Sequence, residues 1–468
     1  MGVAASVSET LAALAAGEVS AADLVDDALA RVEATTDLNA WSHVDGEAAR
    51  SRADAIDQAR AAGRDLGVLA GLPFGVKDLE DCEGMPTTRG SRWFAGQAPA
   101  VRSDIHVERL CGAGAIPLGK TTAPEFGTWA YTASPALGVT RNPWDRTCTP
   151  GGSSGGTAAA VAAGAIAFGT ASDGGGSIRT PATFCGLPGL KACYGRIPTY
   201  GVTHLAQNAV VGALATTVTD TALLLDVMAG PSRYDRTSLP APDVAYRQVV
   251  DALDVTGLRA AWSVDLGFAL VDPEVAALTE QAMRVLVDAA ELRHSPRAIA
   301  LDDYIGIYAR IEGADMWIDL PDGYHPERAD ELDPLVRPGW DAAAGVTLPK
   351  FARVHAARRA LEHRVADLFA DIDVLITPAT AIPAFAAAGP MPTDIAGQPT
   401  HGGMSVIFAM LANLCNLPSI SIPAGRTRAG LPVGLLVSAA RHREDVCLRL
   451  GRILEQAMPW PRHAPGSG

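Results

Sequence analysis

The sequence predicts an α/β fold in which helices pack against a layered β-sheet. Short apolar segments bounded by glycine or proline, which are typical of buried strands, alternate along the chain with longer segments of helical periodicity. Hydrophobic residues make up 48% of the 468 residues, which is ample for a large core. No internal repeat or low-complexity tract interrupts this alternation.

The first 120 residues contain several predicted helices and two predicted strands. Residues 7–35 show helical periodicity in two blocks, and Ser20 is suited to cap the second helix at its N-terminus. Residues 47–63 are rich in Ala and Arg and predict a solvent-facing helix that ends at a glycine. Beyond it, buried strands are predicted at 72–77 and 115–118, with a helix at 104–111.

The second half of the chain contains a less regular region followed by further helices and strands. Residues 230–350 form either a cover over a substrate site or a local core, with aromatic residues at Tyr304, Tyr308, Trp317, Tyr324 and Trp340. Helices are predicted at 356–369 and 443–458, and buried strands at 373–378 and 419–423. No shift in composition marks a linker, so we predict one domain, 1–468, with a motif core at about 70–200, a variable substrate cover at about 230–350 and a C-terminal sheet and helix region at about 370–460.

Charge and cysteine content exclude several classes of protein. The formal net charge of −14 and the pI near 5.2 argue against a nucleic-acid partner, because phosphate binding requires a basic surface. The seven cysteines are scattered without a Cys-x-x-Cys pair, which predicts reduced thiols and a cytoplasmic protein. No uncharged apolar run reaches the ~20 residues of a membrane span, and no signal peptide is predicted. Without a clustered Cys/His set or a His-Glu-x-x-His motif, the sequence predicts no metal and no other cofactor.

The most unusual stretch is 151–190, where glycine clusters twice beside serine. A flexible Gly/Ser linker is disfavoured, because the clusters enclose an uncharged apolar run, 157–172, that favours burial. A phosphate-binding loop is disfavoured as well, since it requires a lysine directly after the glycines and none occurs between Lys120 and Lys191. A glycine-rich turn beside a serine can present both a hydroxyl and free N–H groups to a ligand.

A serine nucleophile requires a base, and Lys77 is the candidate. It follows an apolar segment, where burial would favour the neutral form that a general base needs; a surface lysine at a strand end is the alternative. No histidine lies in a motif with carboxylate spacing, and only His204 is near the glycine-rich stretch. Ser153 and Ser154 also fit the Gly-x-Ser-x-Gly nucleophile elbow. Residues 146–150, however, include a proline and do not resemble the strand that an elbow requires.

Several motifs together resemble those of the amidase signature hydrolases. The core motif is Gly-Gly-Ser-Ser-Gly-Gly at 151–156 and Asp173 followed by Gly-Gly-Ser-Ile-Arg-Thr-Pro at 175–181. Ser153 and Ser177 are 24 positions apart, as in that family, and Lys77 matches the family's lysine. Further matching segments span most of the chain, at 72–78, 119–126, 141–144 and 417–425. The resemblance implies a large mixed β-sheet core covered by helices on both faces.

The resemblance also implies a Ser-cisSer-Lys triad and a role for each of its members. Ser177 is the expected nucleophile. Ser153, after a cis peptide bond, is expected to relay the proton of Ser177 to Lys77. The backbone N–H groups expected to form the oxyanion hole belong to Gly174, Gly175, Gly176 and Ser177. Other residues are expected to support this loop, namely Asp173 and Arg179, or to bind substrate, namely Thr128, Trp129 and Tyr131.

We therefore predict a serine hydrolase that cleaves the C–N bonds of small or aryl linear amides through an acyl-enzyme, with carbamates (urethanes) and esters as further substrates. The expected partner is the small-molecule substrate alone, bound by a monomer or homodimer without nucleic acid or membrane. One alternative is the glutamine-hydrolysing subunit of a tRNA-dependent amidotransferase, against which the acidic charge weighs. Two others are an α/β-hydrolase-type esterase that uses Ser153 and a non-catalytic binding protein, which the intact Lys77, Ser153 and Ser177 oppose.

Overall fold

The computed structural model describes residues 6–200, 208–315, 317 and 326–465; His204 and Tyr324 lie outside these ranges. The strands are, in chain order, β1 (Trp41–Val44), β2 (Pro73–Lys77), β3 (Ile116–Thr121), β4 (Ala133–Ser134), β5 (Gly138–Val139), β6 (Phe168–Asp173), β7 (Gly189–Lys191), β8 (Val210–Ala215), β9 (Arg259–Trp262), β10 (Arg293–Ser295), β11 (Val374–Pro378), β12 (Asp394–Ile395), β13 (Gln398–Pro399), β14 (Ser419–Arg426) and β15 (Pro432–Ala439). The helices are α1 (Val7–Ala16), α2 (Ala21–Ala34), α3 (Gly46–Ala61), α4 (Ile105–Gly112), α5 (Gly155–Ala162), α6 (Arg179–Cys185), α7 (Val218–Met228), α8 (Tyr246–Ala252), α9 (Pro273–Ala289), α10 (Ile305–Asp315), α11 (Arg337–Ala344), α12 (Leu348–Asp371), α13 (Ile407–Leu414) and α14 (Glu444–Ala457).

An eleven-stranded mixed sheet forms the centre of the molecule, in the order β1-β3-β2-β6-β8-β7-β14-β15-β11-β9-β10. Its middle is antiparallel, whereas β2 runs parallel to both β3 and β6. Because the carboxyl ends of parallel neighbours meet at one edge of a sheet, the ends of β2 and β6 lie side by side there. This topology places Lys77 next to Ser172 and Asp173.

Helices cover both faces of the sheet, as β14 demonstrates. Alternate residues of a strand point to opposite faces. Ser419 accepts a hydrogen bond from Arg179 of α6, whereas the next residue, Ile420, packs against Gly451 of α14. Helices α6 and α14 therefore lie on opposite faces of the sheet, and the predicted fold class is confirmed.

Two large clusters of buried apolar side chains make up most of the core. One surrounds the main sheet with its α1–α9 and α14 helices, and the other joins α10, α12 and α13 to the strands β9, β11 and β15. Each fully buried Leu, Ile or Phe contributes about 1.5–3 kcal/mol to the stability of such a core. In the described residues, no helix is both long and apolar enough to cross a lipid bilayer.

The sequence located most of the elements that it addressed, but several predicted bounds were too short, among them the end of β14, which continues to Arg426. Ser20 caps α2 as predicted, in a reciprocal capping box with Asp23. Strand β3 continues past its predicted end because the buried ammonium of Lys120 is satisfied by the Glu80 carbonyl oxygen. Helix α12 begins eight residues before its predicted start, at Leu348, with proline in its first turn where the missing N–H has no cost.

Candidate active site

Lys77 lies at the carboxyl end of β2 and is fully buried. Its Nζ atom is 2.8 Å from Ser153 Oγ and 2.9 Å from Ser172 Oγ, so two hydroxyl groups contact the amine. Burial lowers the pKa of Lys77 to about 8, although the charges of Glu80 and Asp173 act in the opposite direction. Near neutral pH a useful fraction of Lys77 is therefore uncharged, which is the form that can accept a proton.

Ser153 lies in a turn whose two preceding glycines have no room for a side chain. The peptide bond between Gly152 and Ser153 is cis, in agreement with the resemblance. A methyl group on Gly152 would come within 2.4 Å of the Trp129 carbonyl oxygen, and Gly151 has a φ of +85°. The turn leaves Ser153 only 3% exposed, with its hydroxyl on Lys77.

The structure does not support a nucleophile elbow at this turn. Within residues 146–150, all of them described, the only pairing is an isolated bridge between Cys148 and Ala386, so no strand leads into Ser153. Ser153 Oγ contacts a lysine, and the hydroxyl of Ser154 donates to the carbonyl oxygen of Ser172 at 3.3 Å. The strand–turn–helix geometry of an elbow is therefore missing here.

Ser177 occupies the loop between β6 and α6 and is partly buried. It lines the same cavity as Ser153, with a volume of about 450 Å³. The backbone N–H of Ser154 donates to the carbonyl oxygen of Ser177 (3.2 Å), which ties the two serine turns together. The hydrogen bonds of the described residues do not include one between the Ser153 and Ser177 hydroxyls. The structure therefore joins Lys77 to Ser153 directly and places Ser177 in the cavity beside them.

The glycine loop before Ser177 presents fewer free amides than expected. The N–H of Gly176 donates to Asp173 Oδ1 at 2.7 Å, so it is not available to an oxyanion and the expectation for Gly176 is corrected. Among the described hydrogen bonds there is none from the N–H groups of Gly174, Gly175 or Ser177. These three amides remain the candidate oxyanion donors.

Asp173 and Arg179 form a fully buried ion pair beneath this loop, with Arg179 Nη2 2.8 Å from Asp173 Oδ1. Burial opposes the charge on Asp173, but the guanidinium holds the pKa of this carboxyl well below its usual range. Arg179 also donates to the carbonyl oxygen of Ala409 and to the side chains of Asn413 and Ser419. Asn413 donates directly to the carbonyl oxygen and to Oδ1 of Asp173 as well, so two side chains attach the loop to the opposite half of the chain.

Tyr308 of α10 lines the same cavity, although sequence reasoning did not assign it to the site. A methyl group on Gly175 would approach Tyr308 Oη to 2.2 Å, so the phenol lies directly against the glycine loop. Burial raises the pKa of Tyr308 well above its usual range, so the hydroxyl remains protonated. Trp340, by contrast, packs on Phe126 in a small separate cluster. Tyr308 therefore lies against the candidate site, whereas Trp340 belongs to a local core.

The three predicted substrate-binding residues lie outside this cavity. Thr128 and Trp129 line a second, larger cavity of about 950 Å³, which is bounded mainly by α10, α11 and α12. Tyr131 is 2% exposed and packs between Trp129 and Phe385. The segment that carries these three residues, 127–131, does begin at the site, because a methyl group on Gly127 would lie 3.2 Å from Ser153 Oγ.

Three further residues of the site were missed in the sequence. Ser172 was detectable, since it directly precedes the aspartate of the core motif and its hydroxyl contacts Lys77. Glu80 and His106 line the cavity and contact each other, 26 positions apart along the chain. No sequence motif indicated that pair, because neither residue lies in a spacing typical of catalytic or metal-binding sites.

The arrangement is suited to acyl transfer through a serine. A serine hydroxyl on a buried amine can pass protons, and free backbone N–H groups nearby can stabilise a developing oxyanion. His106 Nε2 contacts Glu80, and no hydrogen bond from His106 to a serine hydroxyl occurs among the described residues. Nor do the described residues contain a group of three His, Cys, Asp or Glu side chains placed to hold a metal ion.

Comparison with known proteins gives consistent matches along the whole chain. The family model Amidase matches residues 23–448. The glutamyl-tRNA(Gln) amidotransferase A-subunit from Chloroflexus aurantiacus is 33% identical, over 98% of this chain and 98% of its own. The structure of 6-aminohexanoate cyclic dimer hydrolase with its substrate has a TM-score of 0.89 at 27% identity and covers 99% of both chains. A bacterial aryl acylamidase of the amidase signature enzymes has a TM-score of 0.90 at 24% identity, covering 97% of this chain and 96% of its own.

Proposed function

This chain belongs to the amidase signature family, and from that premise we propose that it hydrolyses the C–N bond of small or aryl amides through an acyl-enzyme on Ser177. The observation that carries the proposal is the contact of 2.8 Å between buried Lys77 Nζ and Ser153 Oγ, in the cavity that Ser177 also lines. A lysine that burial makes partly neutral is the base that a serine nucleophile requires.

In the proposed first half-reaction, neutral Lys77 takes a proton from Ser153, and Ser153 takes one from Ser177. At the same time the Ser177 oxygen attacks the carbonyl carbon of the substrate. The N–H groups of Gly174, Gly175 and Ser177 stabilise the oxyanion. The C–N bond then breaks as the proton returns through Ser153 to the departing nitrogen, because an amide anion is a very poor leaving group. Water then attacks the acyl-enzyme through the same proton transfers, which releases the acid and free Ser177.

Carbamates and esters belong to the proposed substrate range, since the same steps apply to each. A carbamate cleaved at its C–N bond would place an alkoxycarbonyl group on Ser177 and release its amine, and an ester would place its acyl group there and release an alcohol or phenol. The cavity that Ser153 and Ser177 line has a volume of about 450 Å³, a size within the usual range of small-molecule sites. This volume supports a small or aryl substrate in preference to a macromolecular one.

Glutamine hydrolysis for a tRNA-dependent amidotransferase is the second candidate function. The similarity to the Chloroflexus aurantiacus amidotransferase chain over nearly the whole length of both favours it. The net charge of −14 weighs against a chain that works beside tRNA, although a partner protein could supply the basic surface. Glutaminase activity, measured with and without the other subunits of such an enzyme, separates the two candidates.

The test of the principal proposal is a panel of substrates in which the p-nitroanilide, the primary amide and the ester share one acyl group. Purified protein is assayed on a p-nitroanilide, a primary amide, a carbamate and an ester, with L-glutamine as a separate arm. Intact-mass measurement on a slow substrate follows the acyl-enzyme. We expect C–N cleavage with one acyl adduct on Ser177. Release of ammonia from glutamine alone would replace the first candidate by the second.

A further inference from the structure

A buried carboxylate–imidazole pair lies beside the lysine–serine contact, and the mechanism above assigns it no role. Glu80 Oε2 and His106 Nε2 are 3.0 Å apart, and their side chains are 4% and 2% exposed. Both residues line the cavity of Ser153 and Ser177. Burying two ionisable groups is costly, and for stability an apolar pair of similar volume would serve as well. A functional role for the pair is therefore worth testing.

The backbone holds Glu80 in a fixed relation to Lys77. The N–H of Glu80 donates to the carbonyl oxygen of Lys77 at 2.9 Å, which closes a tight turn at the end of β2. The carbonyl oxygen of Glu80 accepts from Lys120 Nζ of β3 at 2.7 Å. His106, in the first turn of α4, fixes the carboxylate end. Glu80 is thus restrained at both its backbone and its side chain.

The charges around the pair favour its ionised form. Burial opposes the charge on both groups, but their mutual attraction lowers the pKa of Glu80 and raises that of His106. Asp104, at the start of α4, further raises the pKa of His106. Around Lys77, burial lowers the pKa, whereas Glu80 from the β2 turn and Asp173 from β6 raise it.

We propose that Glu80 is a positioning residue for the hydrolysis, whose carboxylate, held by His106, sets how readily Lys77 accepts and returns a proton. The inference rests on the proposed function, in which Lys77 is the base. A base must be neutral when Ser153 needs its proton removed, and its conjugate acid must be stable enough to form. The carboxylate stabilises that ammonium, and the imidazolium limits the effect, so that Lys77 does not remain charged throughout the cycle.

The test is the pH dependence of two rates. One is kcat/KM for a p-nitroanilide, and the other is the second-order rate constant for fluorophosphonate labelling of Ser177, which needs no amide turnover. In Glu80→Gln, we expect the midpoint of the acid limb to fall by roughly half a unit to one pH unit in both, because the ammonium of Lys77 loses its stabilising charge. The control is Glu83→Gln, an exposed carboxylate of the same loop, which should leave the midpoint unchanged because solvent screens it.

An unchanged or raised midpoint in Glu80→Gln overturns the inference, and a uniform loss of rate without a shift assigns Glu80 a structural role alone. If that variant does not fold, Glu80→Gln/His106→Gln replaces the ion pair by two neutral amides and should show a smaller downward shift, because the imidazolium that opposes the carboxylate is removed with it. Failure of the proposed function looks different. In that case the wild-type protein itself neither cleaves the panel nor is labelled on Ser177.

Discussion

The hydrogen-bond network around Asp173 and the cover helices α10–α12 differ in how far their charged side chains are buried. In the network, Arg179 and Asp173 are fully buried, and every donor group of the guanidinium has a partner. In and beside the cover helices most of the ion pairs are open to solvent, as with Arg337 and Asp330, which are 45% and 97% exposed, although the pair of Arg358 and Glu362 on α12 is largely buried. The cover also encloses the larger cavity, of about 950 Å³, and exposes 79% of Leu348.

This difference suits the two regions to different roles: the network around Asp173 supports the reacting groups, and the cover helices shape a cavity. Breaking a buried ion pair costs about 3–5 kcal/mol, because an unpaired charge remains, whereas an exposed pair is worth about 0–1 kcal/mol. We therefore expect substitutions in the cover helices to be tolerated better than substitutions around Asp173. Variation in substrate choice is expected to arise from the cover, with the reaction itself unchanged.

The largest expected effect is that of Ser177→Ala. Removing the nucleophile should lower kcat for the p-nitroanilide by about 10⁴-fold or more, as in other serine hydrolases. The thermal unfolding midpoint should stay close to that of the wild-type protein, because the hydroxyl is in the cavity. A fluorophosphonate should add its mass to Ser177 of the wild-type protein. Label on Ser153 or Ser154 would instead favour an elbow-type mechanism.

The next largest effect is expected from Lys77→Met, which should lower kcat for the p-nitroanilide by about 10²–10⁴-fold, the usual contribution of a general base. Activity that remains would come from positioning and from the oxyanion donors. The rate of the wild-type protein should rise with pH through the Lys77 pKa of about 8, since the neutral amine is the active form. Measured with chemistry as the slow step, a flat profile between about pH 6 and pH 9 is the result that contradicts a lysine base.

Arg179→Met tests the comparison of the two regions through stability. It leaves Asp173 charged and unpaired, so the free energy of unfolding in urea should fall by about 3–5 kcal/mol. The matched control, Arg337→Met, removes one partner of an exposed pair and should cost no more than about 1 kcal/mol. Similar losses from both variants would mean that the two regions do not differ as described.

Ser153→Ala should change the preference between substrates. An amide or carbamate nitrogen must be protonated as it leaves, whereas p-nitrophenolate leaves without help. On substrates with one acyl group, kcat/KM should therefore fall about 10²-fold further for the amide than for the p-nitrophenyl ester. Equal losses would restrict Ser153 to activating Ser177 or holding the turn.

The smallest effect is expected in the larger cavity, at a wall that lies outside the cover helices. Trp129→Phe shortens a wall of the larger cavity and should change KM for a bulky aryl substrate by less than about tenfold, the effect of a small change in apolar contact. The rate at which a small fluorophosphonate labels Ser177 should stay the same. A loss of labelling comparable to that of Lys77→Met would show that Trp129 belongs with the reacting groups.

The parts that the sequence predicted are those in which local chemistry decides the outcome. An apolar run between glycine and proline produced β2, and the capping box at Ser20 and Asp23 began α2. The motif glycines located the two turns, because the four glycines of 151–156 and also Gly175 and Gly176 have a φ or a close contact that only glycine permits. These signals lie within a few residues of the structure that they specify.

The parts that it could not predict depend on contacts across the fold. Tyr308 reaches Gly175 only after α10 has packed over the loop, and Glu80 meets His106 only once α4 lies beside β2. The capture of the Gly176 N–H by Asp173 is different, because an aspartate often accepts from an amide two or three residues later. That correction could have been anticipated from local geometry.

The burial of lysine in this molecule has a practical use in labelling chemistry. Lys77, Lys120 and Lys191 are at most 1% exposed, whereas Lys350, the remaining lysine of the sequence, is exposed on α12. Amine-reactive dyes should therefore modify one lysine side chain, apart from the N-terminal amine, without genetic engineering. Because Lys350 also lines the larger cavity, a fluorophore there would sense ligand entry into the cover while Ser177 stays free to react.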